Sequence, residues 1–420
     1  MAGHDGAGRL PDRSASTTTR PIVVMKFGGT SVADEQGRAS LRARVRQALD
    51  AGRAPVVVVS AMGRRGAPYA TATLLDLAGG CDDPHGRDLL ASVGELVSAV
   101  VVANELTCDG VPARAFSGTD AGIFTDGVPE AATITEILPG GLLETCEEGV
   151  VPVVAGFQGV GPDGSVTTLG RGGSDTTACA LGVALRAAEV EIYTDVDGVM
   201  TADPRTCDGA GVLERIGADE LYQMARHGSR VVHTPAAELA LASGTDMRVR
   251  STFSSADGTL VVADIAGYRP DAVATAVSHV DGIVRFEVPL PAAGGGASTA
   301  AQSSVYTAMA AAGVSLDMFT PFGAALAFSV PEADAPRAEA VLQGLDLDFT
   351  SRSDLAKVTL VGAGMHGVPG VMARMAEALS GVGIGILQTA DSHSTISVLV
   401  REERCGDAVS ALHDAFGLGR

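Results

Sequence analysis

The stretch TTLGRGGSDTTACALGVALRA, residues 167–187, combines a glycine-rich turn with a following apolar run. An ordinary turn needs only one glycine, so several glycines beside charged and hydroxyl side chains call for another explanation. The apolar run predicts a helix over 176–187, and backbone N–H groups at a helix N-terminus bind anions. The residues ahead of this helix are Gly170, Arg171, Gly172, Gly173, Ser174 and Asp175.

The stretch predicts a substrate site, with a helix cap as the alternative. Arg171 has a planar guanidinium that suits a carboxylate, Ser174 can donate a further hydrogen bond, and Asp175 can orient a lysine or a metal. In the alternative, Ser174 or Asp175 caps the helix and the glycines merely turn the chain. A cap explains neither the arginine nor the number of glycines, so the binding site is favoured.

The composition is that of an acidic globular protein with α/β layers. Its 420 residues are 46% hydrophobic, and 30 basic against 50 acidic residues give a formal net charge of −20. This charge repels nucleic acid and anionic membranes, so we expect neither as a partner. Six scattered cysteines without a C-x-x-C pair favour reduced thiols in the cytoplasm and disfavour a zinc site. The apolar run around Val100 is too short to span a bilayer and is interpreted as core.

The apolar pattern divides the chain into a larger and a smaller part. Strands alternate with helices up to about residue 265, which predicts an α/β domain with a parallel sheet. Beyond it, two similar passages predict two small ferredoxin-like α+β modules. Among the expected strands of the first part are 22–27, 55–63, 150–160 and 190–200. The expected units are a disordered extension over 1–20, the α/β domain over 21–265, and modules over 266–350 and 351–420.

A second candidate site follows the first predicted strand. The motif MKFGGTS, residues 25–31, places Lys26 beside two glycines that let backbone N–H groups approach phosphate oxygens. Lys26 adds a compact positive charge. The order differs from a P-loop, in which the lysine follows the glycines. A plain strand-to-helix turn with a chance lysine is an equally good interpretation of this motif alone.

A third candidate lies in YTDVDGVMTADPR, residues 193–205, where a strand gives way to a loop. The spacing of Asp195, Asp197 and Asp203 does not match a calcium loop. Carboxylates beyond the carboxyl end of a strand, where open α/β sheets bind ligands, favour a nucleotide or Mg²⁺ site. The alternative is turn formation, because Asp-Gly and Asp-Pro are common in turns.

Three further side chains are considered. Glu95 follows SVG on a predicted helix and can meet a cationic group of a substrate, although on the sequence alone a solvated glutamate is favoured. His233 is interpreted as structural, and His366, in a glycine-rich turn, as exposed.

Several motifs in order along the chain resemble those of one enzyme family. They are KFGGTSV (26–32), VVVVSAMG (56–63), VAGFQGV (154–160), TTLGRGGSDTT (167–177) and EIYTDVDGVMTADPR (191–205). Together they resemble aspartate kinases of the amino-acid kinase superfamily. VGAGMHGVPGVMARMAEAL (361–379) and ILQTADSHSTISVLV (386–400) look like the second of the tandem ACT domains of these enzymes, and SAMGRRGAPYAT (60–71) is closest to the diaminopimelate-sensitive bacterial branch.

The resemblance implies a fold and a reaction. The fold is a parallel-rich central sheet with helices on both faces, followed by two ferredoxin-like ACT domains, with a strand near 272–280 shared between them. The reaction is phosphorylation of the L-aspartate β-carboxylate to 4-phospho-L-aspartate by ATP and Mg²⁺, the first step of lysine, diaminopimelate, threonine and methionine synthesis. A carboxylate is already ionised at pH 7, so no general base is needed.

The resemblance also assigns the site residues. Lys26 and Asp175 act at the transferring phosphate, with Asp175 aligning Lys26. The substrate residues are Glu95, which faces the ammonium, and Arg171, Gly172, Gly173 and Ser174. The nucleotide residues are Lys26, Phe27, Gly28, Gly29, Ser60, Thr194, Asp195, Val199, Met200, Asp203, Pro204 and Arg205. No residue is assigned to the metal, since Mg²⁺ arrives on ATP.

By the same resemblance, ACT modules pair across a homodimer or larger assembly and bind an amino acid at their interface. Lysine, threonine and diaminopimelate all remain candidates for this effector. The residues expected near it are Met365, His366, Gly367, Val368, Gly370, Thr389 and Ser392.

The chain departs from the family pattern at a few places. Asp120 replaces the usual glutamine in GTDAGIFTD (118–126), which bears on affinity near the substrate, and HTPAAE (233–238) lacks the usual arginine. AAGGGAS (292–298) is expected to be a flexible loop that loosens effector control.

Two other functions remain open at this point. One is a related kinase that acts on another acidic amino acid in specialised metabolism. The other is a non-catalytic amino-acid-sensing subunit, against which the presence of Lys26, Arg171 and Asp175 argues.

Overall fold

The computed structural model describes residues 20–80, 83–229, 238, 245–262, 273–290, 294–322, 325–365 and 367–419. Residues 1–19 of the extension expected over 1–20 lie outside this part, as do His233 and His366. Residues 292 and 293 of the segment expected as a flexible loop over 292–298 also lie outside it, and the loop prediction is wrong for the rest, which begins a helix at Gly294.

The strands and helices of the described part follow in chain order. The strands are β1 Ile22–Phe27, β2 Ala54–Val59, β3 Ala113–Phe116, β4 Ile123–Thr125, β5 Ile134–Ile137, β6 Val151–Ala155, β7 Gln158–Val160, β8 Val166–Thr168, β9 Glu189–Thr194, β10 Arg215–Gly217, β11 Met247–Ser251, β12 Thr259–Val262, β13 Ala276–Pro289, β14 Asp317–Phe322, β15 Ala325–Pro331, β16 Thr350–Val361, β17 Gln388–Asp391 and β18 Thr395–Arg401. The helices are α1 Gly29–Val32, α2 Glu35–Asp50, α3 Thr71–Leu77, α4 Pro84–Cys108, α5 Gly140–Glu147, α6 Gly173–Ala184, α7 Ala218–Arg226, α8 Gly294–Ala311, α9 Ala335–Gly344, α10 Val371–Gly381 and α11 Cys405–Ala415.

The first part of the chain is built on an eight-stranded sheet in the order β10-β12-β11-β9-β1-β2-β6-β3. Its neighbouring strands are parallel except for the antiparallel pair β11 and β12. Side chains alternate between the two faces, so Met25 packs with the helix residue Leu41 while Val24 packs with Leu181 on the other face. The predicted parallel-rich sheet with helices on both faces is thereby confirmed.

One predicted strand is wrong. The segment 150–160 forms two strands, because β6 ends at Ala155 and β7 begins at Gln158 in a separate four-stranded sheet with the order β5-β4-β7-β8. Between them Phe157 has a φ of +71°, a left-handed conformation that turns the chain out of the first sheet.

Three predicted boundaries also move. The strand expected over 55–63 ends at Val59. The helix expected over 176–187 runs over Gly173–Ala184, so it begins three residues earlier than predicted. The strand expected over 190–200 ends at Thr194, because the following Asp-rich segment turns away.

The last part of the chain forms a six-stranded antiparallel sheet in the order β14-β15-β13-β16-β18-β17. The long strands β13 and β16 lie at its centre. Residues 276–280 of β13 pair with 357–361 of β16, and residues 283–289 pair with 325–331 of β15. β13 therefore hydrogen-bonds to both halves of the sheet. Each half carries its own apolar cluster.

A polar joint connects the two parts of the chain. Glu220 of α7 accepts hydrogen bonds from the hydroxyl of Thr275 and from the backbone N–H of Ala363, the latter at 3.1 Å. Thr201 Oγ1 lies 2.9 Å from Nε2 of the buried His413. We call these contacts the interdomain joint.

In the described part of the chain, one helix, α4 Pro84–Cys108, is long and apolar enough to cross a membrane, by length and composition alone. Half of its most apolar window is buried inside the protein. Val100 is half exposed, but its neighbours Ala99, Val102 and Ala103 are buried. The helix packs as a core helix and carries two buried carboxylates, described below.

Candidate active site

A cavity of about 800 Å³ lies at the carboxyl ends of β1 and β2. β1 pairs with β2 on one side and with β9 on the other, so the chain connections of these neighbouring strands run to opposite sides of β1. Open α/β sheets bind ligands at the carboxyl ends of the strands where the connections diverge in this way. The lining includes Lys26, Gly29, Ser60, Arg65, Thr71, Arg87, Asp88, Glu95, Glu130, Thr168, Arg171, Gly172, Gly173, Ser174 and Asp175.

Lys26 and Asp175 meet in this cavity. Lys26 Nζ lies 2.5 Å from Asp175 Oδ1, and their side chains are 11% and 12% exposed. The contact is an ion pair by distance, although Oδ1 has no hydrogen bond of normal geometry. The two side chains that the resemblance assigns to the transferring phosphate therefore lie side by side.

The two turns after β1 and β2 approach each other closely beside Lys26. A Cβ atom on Gly29 would lie 2.8 Å from the carbonyl oxygen of Ala61 and 2.9 Å from that of Gly63. Only glycine fits this approach, so Gly29 brings the two turns together at the cavity wall.

The glycine-rich turn that opened the sequence analysis forms another wall. Gly172, with a φ of +71°, precedes α6 and provides no side-chain cap. Ser174 and Asp175 lie inside the first helical turn, so the alternative in which one of them caps the helix is wrong. Arg171 is exposed to the cavity, and its guanidinium makes no ion pair with any described residue.

Glu95 is buried, with 3% of its surface exposed. Its Oε1 accepts hydrogen bonds from the backbone N–H of Ala61 at 3.1 Å and from the hydroxyl of Thr71 at 3.3 Å. Its Oε2 is buried without a partner in the described chain. Burial raises the pKa of Glu95 to about 7. The interpretation of Glu95 as a solvated helix residue is therefore wrong.

The predicted nucleotide residues do not all line the cavity. Ser60 does. Gly28 donates its N–H to the carbonyl of Tyr193 at 3.3 Å, which places the end of β9 next to Lys26. Asp195, just beyond it, pairs with Arg64 at 2.9 Å on the surface. Thr194 and Asp195 thus border the region without forming its wall.

Two predicted nucleotide side chains are core groups. The Phe27 ring is fully buried and stacks on Tyr193 with the ring centres 4.5 Å apart. Val199 is also fully buried, and its N–H donates to Thr259 Oγ1 at 2.8 Å. The prediction that these two side chains contact the nucleotide directly is wrong, because both side chains face the interior.

The rest of the predicted nucleotide loop lies apart from the cavity lining. Met200 forms an isolated bridge with Val212. Asp203 pairs with Arg205 at 2.6 Å across a turn that includes Pro204. Through Thr201 and the interdomain joint, the same loop reaches the part of the chain that forms the six-stranded antiparallel sheet. We call this sheet the regulatory sheet, because the resemblance to aspartate kinases places the effector there.

The predicted effector residues lie at the start of α10 and on the edge of the regulatory sheet. Met365 is buried, while Gly367 and Gly370 have φ values of +75° and +93° in the turn before the helix. Val368 of the same turn is exposed. Thr389 lies on the edge strand β17, and Ser392 follows it.

The sequence reasoning missed several cavity residues, among them Thr71, Asp88, Glu130 and Thr168. A signal was available for Asp88, which precedes Glu95 by two helical turns and therefore lies on the same helix face. The departure at Asp120 is a local feature, since its Oδ2 accepts from the N–H and hydroxyl of Ser117.

Among the described residues, one group of side chains that could hold a metal ion lies outside the cavity lining: His279, Asp281 and Cys405. Burial and the neighbouring Asp281 raise the pKa of the Cys405 thiol. The thiol also has a side-chain hydrogen bond with Asp281.

Comparison with known proteins bears on this site. A model of the amino acid kinase family matches residues 21–251, and one of the ACT domain matches 350–414. Aspartokinase 1 of Bacillus subtilis is 41% identical over 406 residues, which cover 95% of this chain and 100% of that protein. Among solved structures, E. coli aspartokinase III in complex with aspartate and ADP (R-state) gives a TM-score of 0.78 at 25% identity, covering 94% of this chain and 100% of that one.

A second E. coli aspartokinase III structure, in complex with lysine and aspartate (T-state), gives a TM-score of 0.73 at 25% identity, covering 94% of this chain and 99% of that one. The kinase-family match spans more than half of the chain, and the Bacillus relative is matched over its whole length. With the parallel sheet and the regulatory sheet in the expected order, the chain belongs to the aspartokinases of the amino acid kinase family.

Proposed function

We propose that this chain transfers the γ-phosphoryl group of ATP to the β-carboxylate of L-aspartate, giving 4-phospho-L-aspartate and ADP. The observation that carries the proposal is that one cavity holds a lysine paired with an aspartate, an arginine without an ion-pair partner among the described residues, and a buried glutamate with one oxygen that lacks a partner there. These groups come from distant parts of the chain. The E. coli relative in complex with aspartate and ADP supports the same pair of ligands.

The charges of the cavity complement those of aspartate. Arg171 pairs with a substrate carboxylate through its guanidinium, and Gly172, Gly173 and Ser174 hold the substrate beside it. Glu95 Oε2 accepts a hydrogen bond from the substrate ammonium, which supplies the partner that this oxygen lacks. The positive ammonium also favours the ionised form of Glu95.

The chemistry requires no proton transfer from the protein. A β-carboxylate oxygen attacks the γ-phosphorus, the bond from this phosphorus to the β–γ bridging oxygen breaks, and ADP leaves with the electron pair. The carboxylate is ionised at pH 7, so positioning and charge neutralisation dominate. Lys26 neutralises charge that develops on the transferred phosphoryl group, and Asp175 holds its ammonium in place.

We propose that Mg²⁺ enters with ATP. The two oxygens of Asp88 are fully used by hydrogen bonds, and Asp175 faces Lys26. These two carboxylates are thus engaged by the protein, and in this proposal the ion takes its ligands from phosphate oxygens and water rather than from a protein cage. Bound there, Mg²⁺ would neutralise phosphate charge. Ser60, Thr194 and Asp195 border the nucleotide in this proposal.

We also propose feedback control by an amino acid at the regulatory sheet of a homodimer or larger assembly in the cytoplasm. The ACT-domain match and the E. coli structure with lysine support an amino-acid effector, and the edge strands β14 and β17 offer pairing surfaces. A thermal-shift panel with lysine, threonine and diaminopimelate identifies the effector, because a ligand that binds only the folded state raises Tm.

The catalytic proposal is tested with purified protein, ATP, Mg²⁺ and L-aspartate, with the acyl phosphate trapped by hydroxylamine as a hydroxamate. L-Glutamate is the matched control substrate, longer by one methylene. We expect hydroxamate with aspartate and little with glutamate. Preference for glutamate would indicate a related kinase, and no product with either, while effectors still raise Tm, would indicate a sensing subunit.

A further inference from the structure

Asp88 is a completely buried carboxylate at the edge of the cavity. Both of its oxygens accept from the backbone N–H of Glu130, at 3.0 and 3.1 Å. Thr168 donates its N–H at 3.1 Å and its hydroxyl at 2.5 Å. Four contacts therefore converge on one side chain, and none of the donors lies on its own helix.

The two residues that donate to Asp88, Glu130 and Thr168, belong to separate segments that meet beside Arg171. Thr168 ends β8, three residues before Arg171. Glu130 has a φ of +60° in the loop before β5. The carbonyl of Thr168 accepts from the N–H of Ala132 at 2.9 Å. Asp88 thus fastens the segment that leads into the substrate turn, at Thr168, to the Glu130 loop, which lies beside Gly170 of that turn.

Asp88 also links this turn to Glu95. The two carboxylates are seven residues apart on α4, which is two helical turns, so both point to the same side. Helix α4 therefore carries Glu95, the proposed partner of the substrate ammonium. Through the hydrogen bonds of Asp88, the same helix holds the turn that carries Arg171, the proposed partner of the substrate carboxylate.

We propose that Asp88 is a positioning residue for the amino-acid substrate: it fixes the turn that carries Arg171 at a set distance from Glu95. This inference rests on the proposed function, since it assumes that Arg171 and Glu95 hold opposite ends of one substrate. Asp88 acts through the turn and leaves the nucleotide side of the cavity unaffected.

The test compares Asp88→Ala with Asp88→Asn. Alanine leaves the N–H groups of Glu130 and Thr168 without an acceptor, whereas the asparagine carbonyl can accept both and its amide can donate to the Thr168 hydroxyl. We expect Asp88→Ala to raise the aspartate KM about 10- to 100-fold, as small displacements of binding groups do. We expect Asp88→Asn to restore most of the affinity and both variants to keep the ATP KM.

A double-mutant cycle with Arg171→Ala separates positioning from general loss of stability. If Asp88 acts through Arg171, Asp88→Ala has little further effect on the aspartate KM once the guanidinium is gone. Additive effects would overturn the proposal. Glu220→Ala is the matched control, because it also removes a buried, fully hydrogen-bonded carboxylate but lies at the interdomain joint, and it should leave the aspartate KM unchanged.

Hydrogen exchange of the 168–171 segment provides a readout that does not depend on turnover. We expect faster exchange there in Asp88→Ala but not in Glu220→Ala. Should Asp88→Ala fail to fold, Asp88→Ser replaces it. Wild-type protein that makes no hydroxamate from aspartate would refute the proposed function alone. Unchanged exchange, or equal changes in the aspartate and ATP KM values, would refute the role of Asp88.

Discussion

Glu95 and Glu220 are almost equally buried, at 3% and 1% exposure, yet they lie in two different kinds of surroundings. At the interdomain joint, Glu220 uses both oxygens, with Oε2 accepting from Gly217 and Oε1 from Thr275 and Ala363. In the cavity, Glu95 uses only Oε1, and Oε2 has no described partner.

The difference separates a structural carboxylate from a binding one. A buried polar atom without a partner costs about 1–3 kcal/mol, so a fold keeps it only where the surrounding structure compensates or a ligand supplies the partner. Glu220 is satisfied by the protein itself. Glu95 is satisfied only when a donor enters the cavity, and the substrate ammonium is such a donor.

The largest expected effect comes from a comparison of two buried lysines, one in the cavity and one on the regulatory sheet. Lys26→Ala removes the charge beside the transferring phosphate and should lower kcat about 100- to 1000-fold, the typical loss for one such donor, while the protein stays folded. Lys357 is the matched control, because it is also buried and pairs with Asp317 on the regulatory sheet. Lys357→Ala should lower Tm and leave kcat near wild type. Equal kcat losses would erase the distinction between the regions.

The next effect concerns Glu95 itself. Glu95→Gln keeps the shape but removes the charge that faces the ammonium, so the aspartate KM should rise about tenfold or more, in the range of lost hydrogen bonds to charged groups. Tm should not fall, because a buried ionisable group is removed. Steady-state kinetics with varied aspartate and ATP and a thermal melt check both points. A lower Tm with an unchanged aspartate KM would make Glu95 a structural residue like Glu220.

The raised pKa of Glu95, about 7, predicts a pH dependence of opposite sign for stability and binding. The substrate-free fold binds more protons than the unfolded chain between about pH 4.5 and 7, so this group lowers stability as pH rises through that window. Substrate binding needs the ionised form, so the aspartate KM should fall roughly tenfold from pH 6 to pH 8. Glu95→Gln should flatten both profiles; a wild-type KM independent of pH would contradict the assignment.

The cavity and the interdomain joint also show which residues can be predicted from the sequence. The glycine-rich motifs located Lys26 and Arg171 because phosphate and carboxylate binding impose local patterns on neighbouring residues. Asp88 and Glu220 were missed because their partners are distant along the chain: Thr168 is 80 residues from Asp88, and Ala363 is 143 residues from Glu220.

Membership of a motif also says nothing about the direction of a side chain. Phe27 follows Lys26 directly, and because side chains alternate along a strand, its ring points into the core against Tyr193. Helix periodicity alone predicts a solvated Glu95, because it does not show that the segment after β2 covers the carboxylate.

A moderate effect is expected at the joint. Glu220→Gln keeps one acceptor oxygen but places an amide against a backbone N–H, so the free energy of unfolding should fall by about 1–3 kcal/mol. The KM values for aspartate and ATP should stay within about twofold, as for other sites remote from the ligands. Urea denaturation and steady-state kinetics measure these quantities. A raised aspartate KM would show that the joint shapes the cavity as well as the assembly of the two parts.

The smallest effect is expected at His413, whose Nε2 lies 2.9 Å from Thr201 Oγ1 on the loop that continues to Asp203 and Arg205. Burial lowers the pKa of His413, so this group lowers stability only as pH falls below its unfolded value of about 6.5. His413→Leu should cost about 0.5–1.5 kcal/mol for the lost hydrogen bond and abolish that acid dependence. His413→Gln, which places a nitrogen near the position of Nε2, should retain the hydrogen bond to Thr201 while also losing the acid dependence of stability.

If Thr201 transmits the state of the regulatory sheet to the nucleotide side of the cavity, His413→Leu should change the ATP KM up to about threefold without changing the aspartate KM. Unchanged ATP kinetics in His413→Leu would confine the joint to holding the two parts of the chain together.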